Sequence, residues 1–155
     1  MKNWRWDQGR LDYFQFDEIK KISLALMDFD CKKLSRGNEP DALRLILEAY
    51  SDRPFAPANY KVWRNYKRVF GCQLLATEIN GVMYATDLCK EIATGKIDAN
   101  EYLINLSRRF YFSSPIFEDY NHTDQQIFPI CAIIKFLVSR YIYLRRNYSF
   151  RLIKS

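Results

Sequence analysis

Lys61-Val-Trp-Arg-Asn-Tyr-Lys-Arg-Val-Phe70, followed across Gly71-Cys72 by Gln73-Leu-Leu-Ala-Thr-Glu-Ile-Asn80-Gly81-Val-Met-Tyr-Ala-Thr86, is the stretch whose reading decides the fold. In its first part Val62, Tyr66 and Val69 recur at helical spacing, with Trp63 and Phe70 at the border of the apolar face they make. Lys61, Arg64 and Arg68 fall on the other side, with Asn65 and Lys67 flanking them. A helix divided in this way buries one face and offers the other to a partner. The second part changes period and reads as two strands meeting at Asn80-Gly81, because both residues tolerate the positive φ that a two-residue hairpin turn requires.

Working outward, a helix is expected upstream from Phe16 or Asp17, with Asp17 as its cap and Ile19, Ile22, Leu26 and Phe29 on its inner face, stopping between Asp30 and Lys33. Pro40 and Asp41 open a second helix whose face is Leu43, Ile46, Leu47 and Tyr50. The third is expected from Ala58 or Asn59 to Phe70, closed by Gly71. Downstream of the hairpin, Thr86 or Asp87 caps a short helix through Ala93 that Gly95 ends, and Asp98-Ala-Asn-Glu101 reads as a capping box for a helix to Phe112. A last helix from about Gln125 to Leu144 carries Ile130, Ile133, Ile134, Leu137, Val138 and Ile142 and is expected to pack on the others as a core element; the stretch after it, Arg145 to Arg151, is basic and aromatic.

Three helices followed by a hairpin is the element order of a winged helix, with Asn80-Gly81 at the tip of the wing. The fold class expected is therefore mostly α with a small antiparallel β hairpin. Residues 1–97 would form a winged-helix-like core with an N-terminal arm, and residues 98–155 a helical extension packed on it.

The 155 residues carry a formal net charge of +6, and its distribution says more than its size. Residues 53–77 hold five basic and no acidic side chains, and residues 125–155 hold six basic and none acidic. Acid-free basic stretches with aromatics among the cations favour a polyanion, here double-stranded DNA. Four cysteines, with no CxxC pair and a single histidine beside them, match no zinc-finger spacing and are expected reduced and mostly buried. No secretory signal opens the chain, and Pro129, Lys135 and Arg140 interrupt its most apolar segment. A cytoplasmic protein without a membrane partner is expected.

The residues assigned to DNA are Lys61, Arg64, Asn65, Lys67 and Arg68 on the third helix, Asn80 at the hairpin tip, and Arg5 and Arg10 near the N-terminus. No catalytic group, metal site or small-molecule substrate is nominated. Asp12 with Glu18-Ile-Lys20 imitates the acid-then-ExK spacing of a magnesium nuclease, but Glu18 and Lys20 fall in the first turn of a helix and point apart. His122, in a loop, has no nucleophile beside it and reads as a surface residue.

Trp4-Arg-Trp-Asp-Gln-Gly-Arg-Leu-Asp-Tyr-Phe-Gln-Phe16, together with Ala85-Thr-Asp-Leu-Cys-Lys-Glu-Ile-Ala93 and the aliphatic helix near Pro129, resembles the N-terminal recognition region of AlwI-like type IIS restriction endonucleases and related nickases. The match is strongest over residues 3–29, with Trp4, Trp6, Gln8 and Arg10 its best positions. That resemblance implies recognition of a short asymmetric site, with cleavage by a separate PD-(D/E)xK domain; magnesium enters only if such a domain follows. A winged-helix transcription regulator, a protein-interaction module and, last, an autonomous small nuclease remain as alternatives.

Overall fold

The first helix begins at Phe16, directly after an extended Gln15, in a computed structural model that describes residues 15–111 and 128–152, with side chains described as far as residue 143 in the last helix. Among the described residues, six helices and a two-stranded antiparallel sheet follow one another as α1 (Phe16–Asp28), α2 (Ala42–Ser51), α3 (Val62–Cys72), β1 (Ala76–Ile79), β2 (Val82–Ala85), α4 (Asp87–Ala93), α5 (Ala99–Arg109) and α6 (Pro129–Leu152). These residues are thus mostly helical with a small hairpin. The chain divides into two units, 1–103 and 104–155.

In the first unit α1 packs against α2 and α4, and α3 packs against β1. The reason is visible in the spacing: Ile19, Ile22, Leu26 and Phe29 are all buried. Leu43 and Leu47 meet them from α2, and Leu88, Cys89 and Ile92 from α4 are buried with them. A second cluster is aromatic. Phe55, from the link after α2, meets Tyr66 edge-on at 5.0 Å, and Phe70 lies 6.0 Å from both Tyr66 and Trp63.

Several boundaries differ from expectation, each for a local reason. Asp17 does not cap α1; the cap position is Gln15, which makes no side-chain cap bond, and Asp17 sits within the first turn. In α2, Ser51 replaces Tyr50 on the inner face because Leu43, Leu47 and Ser51 step by four, leaving Ile46 half-buried and Tyr50 exposed. The α3 helix starts at Val62, not Ala58. Asp41, whose Oδ1 accepts from Arg44 N to cap α2, also receives the Val62 N–H on Oδ2 at 2.6 Å, so one carboxylate fixes both helix starts. Gly71 is helical and buried; the chain turns three residues later, where Leu74 takes a φ of 59° and Leu75 N donates to Phe70 O.

The link between α2 and α3 has no regular structure and is held by side chains from α2. Arg44 donates to the carbonyls of Phe55, Pro57 (3.1 Å) and Tyr60 (2.6 Å), while Glu48 Oε1 accepts from Phe55 N at 2.9 Å. These bonds satisfy backbone groups that a loop would otherwise leave to water.

At the hairpin, Ala76 pairs with Ala85 and Ile79 with Val82, and Asn80 and Gly81 take φ of 52° and 79° as a two-residue turn demands. A third edge is present that the sequence did not announce. Cys31 N donates to Met83 O, Met83 N to Lys32 O, and Leu34 N to Gly81 O, with Lys33 bridged to Val82. Beyond β2, Thr86 Oγ1 accepts from Cys89 N at 3.0 Å and caps α4, and Gly95 closes it at a φ of 68°. The capping box forms as read: Asp98 Oδ1 accepts from Asn100 N and Glu101 N, and Glu101 Oε2 accepts from Asp98 N. The helix it opens ends at Arg109, short of Phe112.

In the second unit α6 begins on Pro129 and continues through the basic aromatic segment to Leu152. Its expected start at Gln125 lies outside the described residues. The core role given to it is not what the structure shows. Ile133, Ile134, Leu137, Val138 and Ile142 are all exposed, because apolar and charged residues alternate around this helix without separating into faces. Among the described residues, no helix is long and apolar enough to cross a membrane.

Candidate nucleic-acid interface

On α3 the apolar face is wholly engaged: Val62, Trp63, Tyr66, Val69 and Phe70 are buried, so Trp63 and Phe70 belong to the core and not to its border. The indole Nε1 of Trp63 donates to Glu78 Oε2 on β1 at 2.6 Å, and Tyr66 Oη donates to Ala56 O at 3.0 Å. These bonds lock the rotation of α3 against the hairpin on one side and the α2–α3 link on the other. Glu78, the single acid of the hairpin, is occupied in doing so.

Rotation fixed in that way leaves Arg64, Lys67 and Arg68 exposed, three cations at i, i+3 and i+4 on one face. The Arg64 guanidinium stands 4.9 Å from the Tyr60 ring centroid, a stacking contact that orients it before any partner arrives. Asn65 is half-buried at the edge of this face. Lys61 is a correction: it precedes the helix, in an extended conformation at the cap position, and its Nζ donates to Glu39 O. Its ammonium belongs to the turn before α2 rather than to the row of cations.

Asn80 is exposed at the hairpin tip, as expected. Arg5 and Arg10 lie outside the described residues, as do Trp4, Trp6, Gln8, Asp12 and His122.

Sequence reasoning missed the cations of the third edge. Lys32, Lys33 and Arg36 are exposed, and the Arg36 guanidinium lies where a Cβ on Gly81 would stand. Gly81 thus serves two ends, the positive φ of the turn and the close approach of an arginine to the hairpin tip. Nothing in Cys31-Lys-Lys-Leu34 marks a strand, since four residues with two lysines show neither β-branching nor alternation.

Asp30, at the end of α1, receives Ala85 N at 2.8 Å and Lys90 Nζ at 2.7 Å, tying α1 to β2 and α4. Burial acts to raise the Asp30 pKa, but the Lys90 ammonium and the Ala85 N–H outweigh it and hold the carboxyl below its ordinary value. Hydrogen bonding to Asp30 raises Lys90 in turn.

Of the groups with nuclease-like spacing, Asp12 lies outside the described residues, and Glu18 and Lys20 differ in exposure. Glu18 is buried, with Oε1 held by Arg53 at 2.9 Å and Lys21 at 3.0 Å, whereas Lys20 is exposed. Among the described residues, no three His, Cys, Asp or Glu side chains stand close enough to hold a metal ion. The cysteines also depart from expectation. Cys89 is buried, Cys72 is half-buried, and Cys31 and Cys131 are exposed, Cys31 because it turns the chain after α1 at a φ of 61°. Burial pushes the Cys89 thiol up to about 12, and its Sγ donates to Ser23 O at 3.5 Å, so it is a core thiol rather than a nucleophile.

No protein-family model, no curated protein and no solved structure matches the chain.

Proposed function

We propose that residues of the first unit bind double-stranded DNA as a winged-helix module, with α3 as the helix that enters the major groove and the β1–β2 hairpin as the wing. The observation that carries this reading is the face of Arg64, Lys67 and Arg68, exposed on a helix whose opposite face is buried and whose rotation is locked by Trp63 and Tyr66. The third edge at residues 31–34 supports it, since helix, short edge, helix, helix and hairpin is the winged-helix order. It also sets Arg36 at the wing tip beside Asn80, a second cationic point on the same unit.

On this reading Arg64, Lys67 and Arg68 contact phosphates or guanine acceptors. The broader reading takes the unit as the recognition part of a type IIS restriction endonuclease, with cleavage and magnesium belonging to a separate domain. Its support is the resemblance over residues 3–29.

Replacing Arg64, Lys67 and Arg68 together by alanine is expected to weaken duplex binding at least tenfold and to leave the melting temperature within a few degrees of wild type, because all three are exposed. A folded triple variant that binds duplex DNA as tightly as wild type rules out α3 as the DNA-contacting helix.

A further inference from the structure

Tyr60 is a large aromatic that the core leaves out. Its side chain is 45% exposed, although Phe55 and Tyr66, from the same stretch of chain, are buried. What the ring meets instead is the Arg64 guanidinium, 4.9 Å from its centroid. Lys61, between the two, is extended, so they do not share a helix and helical spacing alone does not bring them together.

The backbone on both sides of Lys61 is pinned to α2. Arg44, itself paired with Asp41 and Glu48, donates to Tyr60 O at 2.6 Å, and Asp41 Oδ2 accepts from Val62 N at 2.6 Å. These two anchors fix where the ring stands and where the first turn of α3 begins, and so set the distance across which ring and guanidinium meet. Among the described residues, Arg64 makes no hydrogen bond or ion pair, and stacking is what orients it. A ring takes up one face of a guanidinium and leaves the donors along its planar edge open to a partner. A fork held in that way suits two adjacent acceptors lying in one plane.

We infer that Arg64 reads a guanine in the major groove, through bidentate bonds to O6 and N7, and that Tyr60 is the positioning residue for this contact. This assignment rests on the reading of α3 as the DNA-contacting helix and deepens it. Arg64 is the third residue of α3, and the N-terminal residues of a recognition helix are those that reach base edges. Of the four bases, guanine alone sets two acceptors side by side in that groove. Lys67 and Arg68 lie a turn further on and are left to the phosphates. A guanidinium oriented before binding gives up less side-chain freedom when it meets the base.

The test is selection of duplexes from a randomised pool by the full chain, followed by anisotropy titration of the best duplex with each guanine in turn replaced by 7-deazaguanine, which lacks the N7 acceptor. One guanine is expected at which the replacement weakens wild-type binding about tenfold. With Arg64→Met the same replacement should cost less than about twofold, since no donor faces N7. Tyr60→Ala should shrink the penalty to about threefold or less at an unchanged melting temperature, and Tyr60→Phe, which keeps the ring, should restore it in full. Duplex binding that falls with salt but shows no guanine whose N7 matters overturns the assignment and leaves α3 in contact with phosphates only. So does a 7-deazaguanine penalty that survives in Arg64→Met or in Tyr60→Ala. Absence of duplex binding at low salt removes the DNA reading itself, and this assignment with it.

Discussion

Two helices of this chain, α3 and α6, are similar in composition and opposite in behaviour. Both mix aliphatic, aromatic and basic residues and contain no acid. In α3 the apolar residues gather on one side and every one of them is buried, which leaves the cations together on the other. In α6 they spread around the axis, and the helix is exposed from Cys131 to Tyr143. Burial within a domain follows the segregation of apolar residues by period, not their number.

The same substitution on the two helices is the strongest way to break this comparison. Val69→Asp places an unpaired charge in the core beneath α3 and should cost about 3–5 kcal/mol, read as loss of the cooperative unfolding transition in urea. Arg44→Met comes next. It leaves the carbonyls of Phe55, Pro57 and Tyr60 without their donor and should cost about 2–3 kcal/mol in the same experiment, freeing the link that fixes where α3 starts.

Thr86→Ala removes the α4 cap and the hydroxyl's bond to Leu74 O, and a loss of about 1–2 kcal/mol is expected by thermal melting. A smaller effect is set by pH. Because the Asp30 carboxyl is held below its ordinary 3.8, its contribution is present above that value and is lost as pH falls through the lower folded one. The raised Lys90 contributes below its ordinary 10.5 and loses that contribution as pH rises through its folded value. Lys90→Met should therefore flatten both limbs of a melting temperature against pH curve; steep limbs in the variant would show that the pair is not their source. Least of all, Phe136→Asp on α6, at a side chain 66% exposed, should change unfolding by less than about 0.5 kcal/mol. A cost near that of Val69→Asp would show α6 to be a core helix after all.

Much of the first unit was legible because its signals are local. Ile19, Ile22, Leu26 and Phe29 needed their spacing alone, Asn80-Gly81 its dihedral tolerance, and Asp98 with Glu101 their capping geometry. What escaped depends on residues distant in sequence. The start of α3 is set by Asp41, twenty-one positions away, and the role of Lys61 by the Glu39 carbonyl. The cations beside the hairpin, Lys32, Lys33 and Arg36, reach it through backbone pairing of a segment with no strand signature. Hydrophobic content misled in α6, where aliphatic richness was read as burial although the residues do not form one face.

The central claim is that α3 and the hairpin form a DNA-binding surface, and its most direct test is fluorescence anisotropy of a random-sequence duplex against a salt series. Several phosphate contacts predict binding at low salt with a log-log slope of about −3 to −6, made shallower when Arg64, Lys67 and Arg68 are replaced by alanine. No binding at low salt, or a slope that the triple substitution leaves untouched, would contradict it.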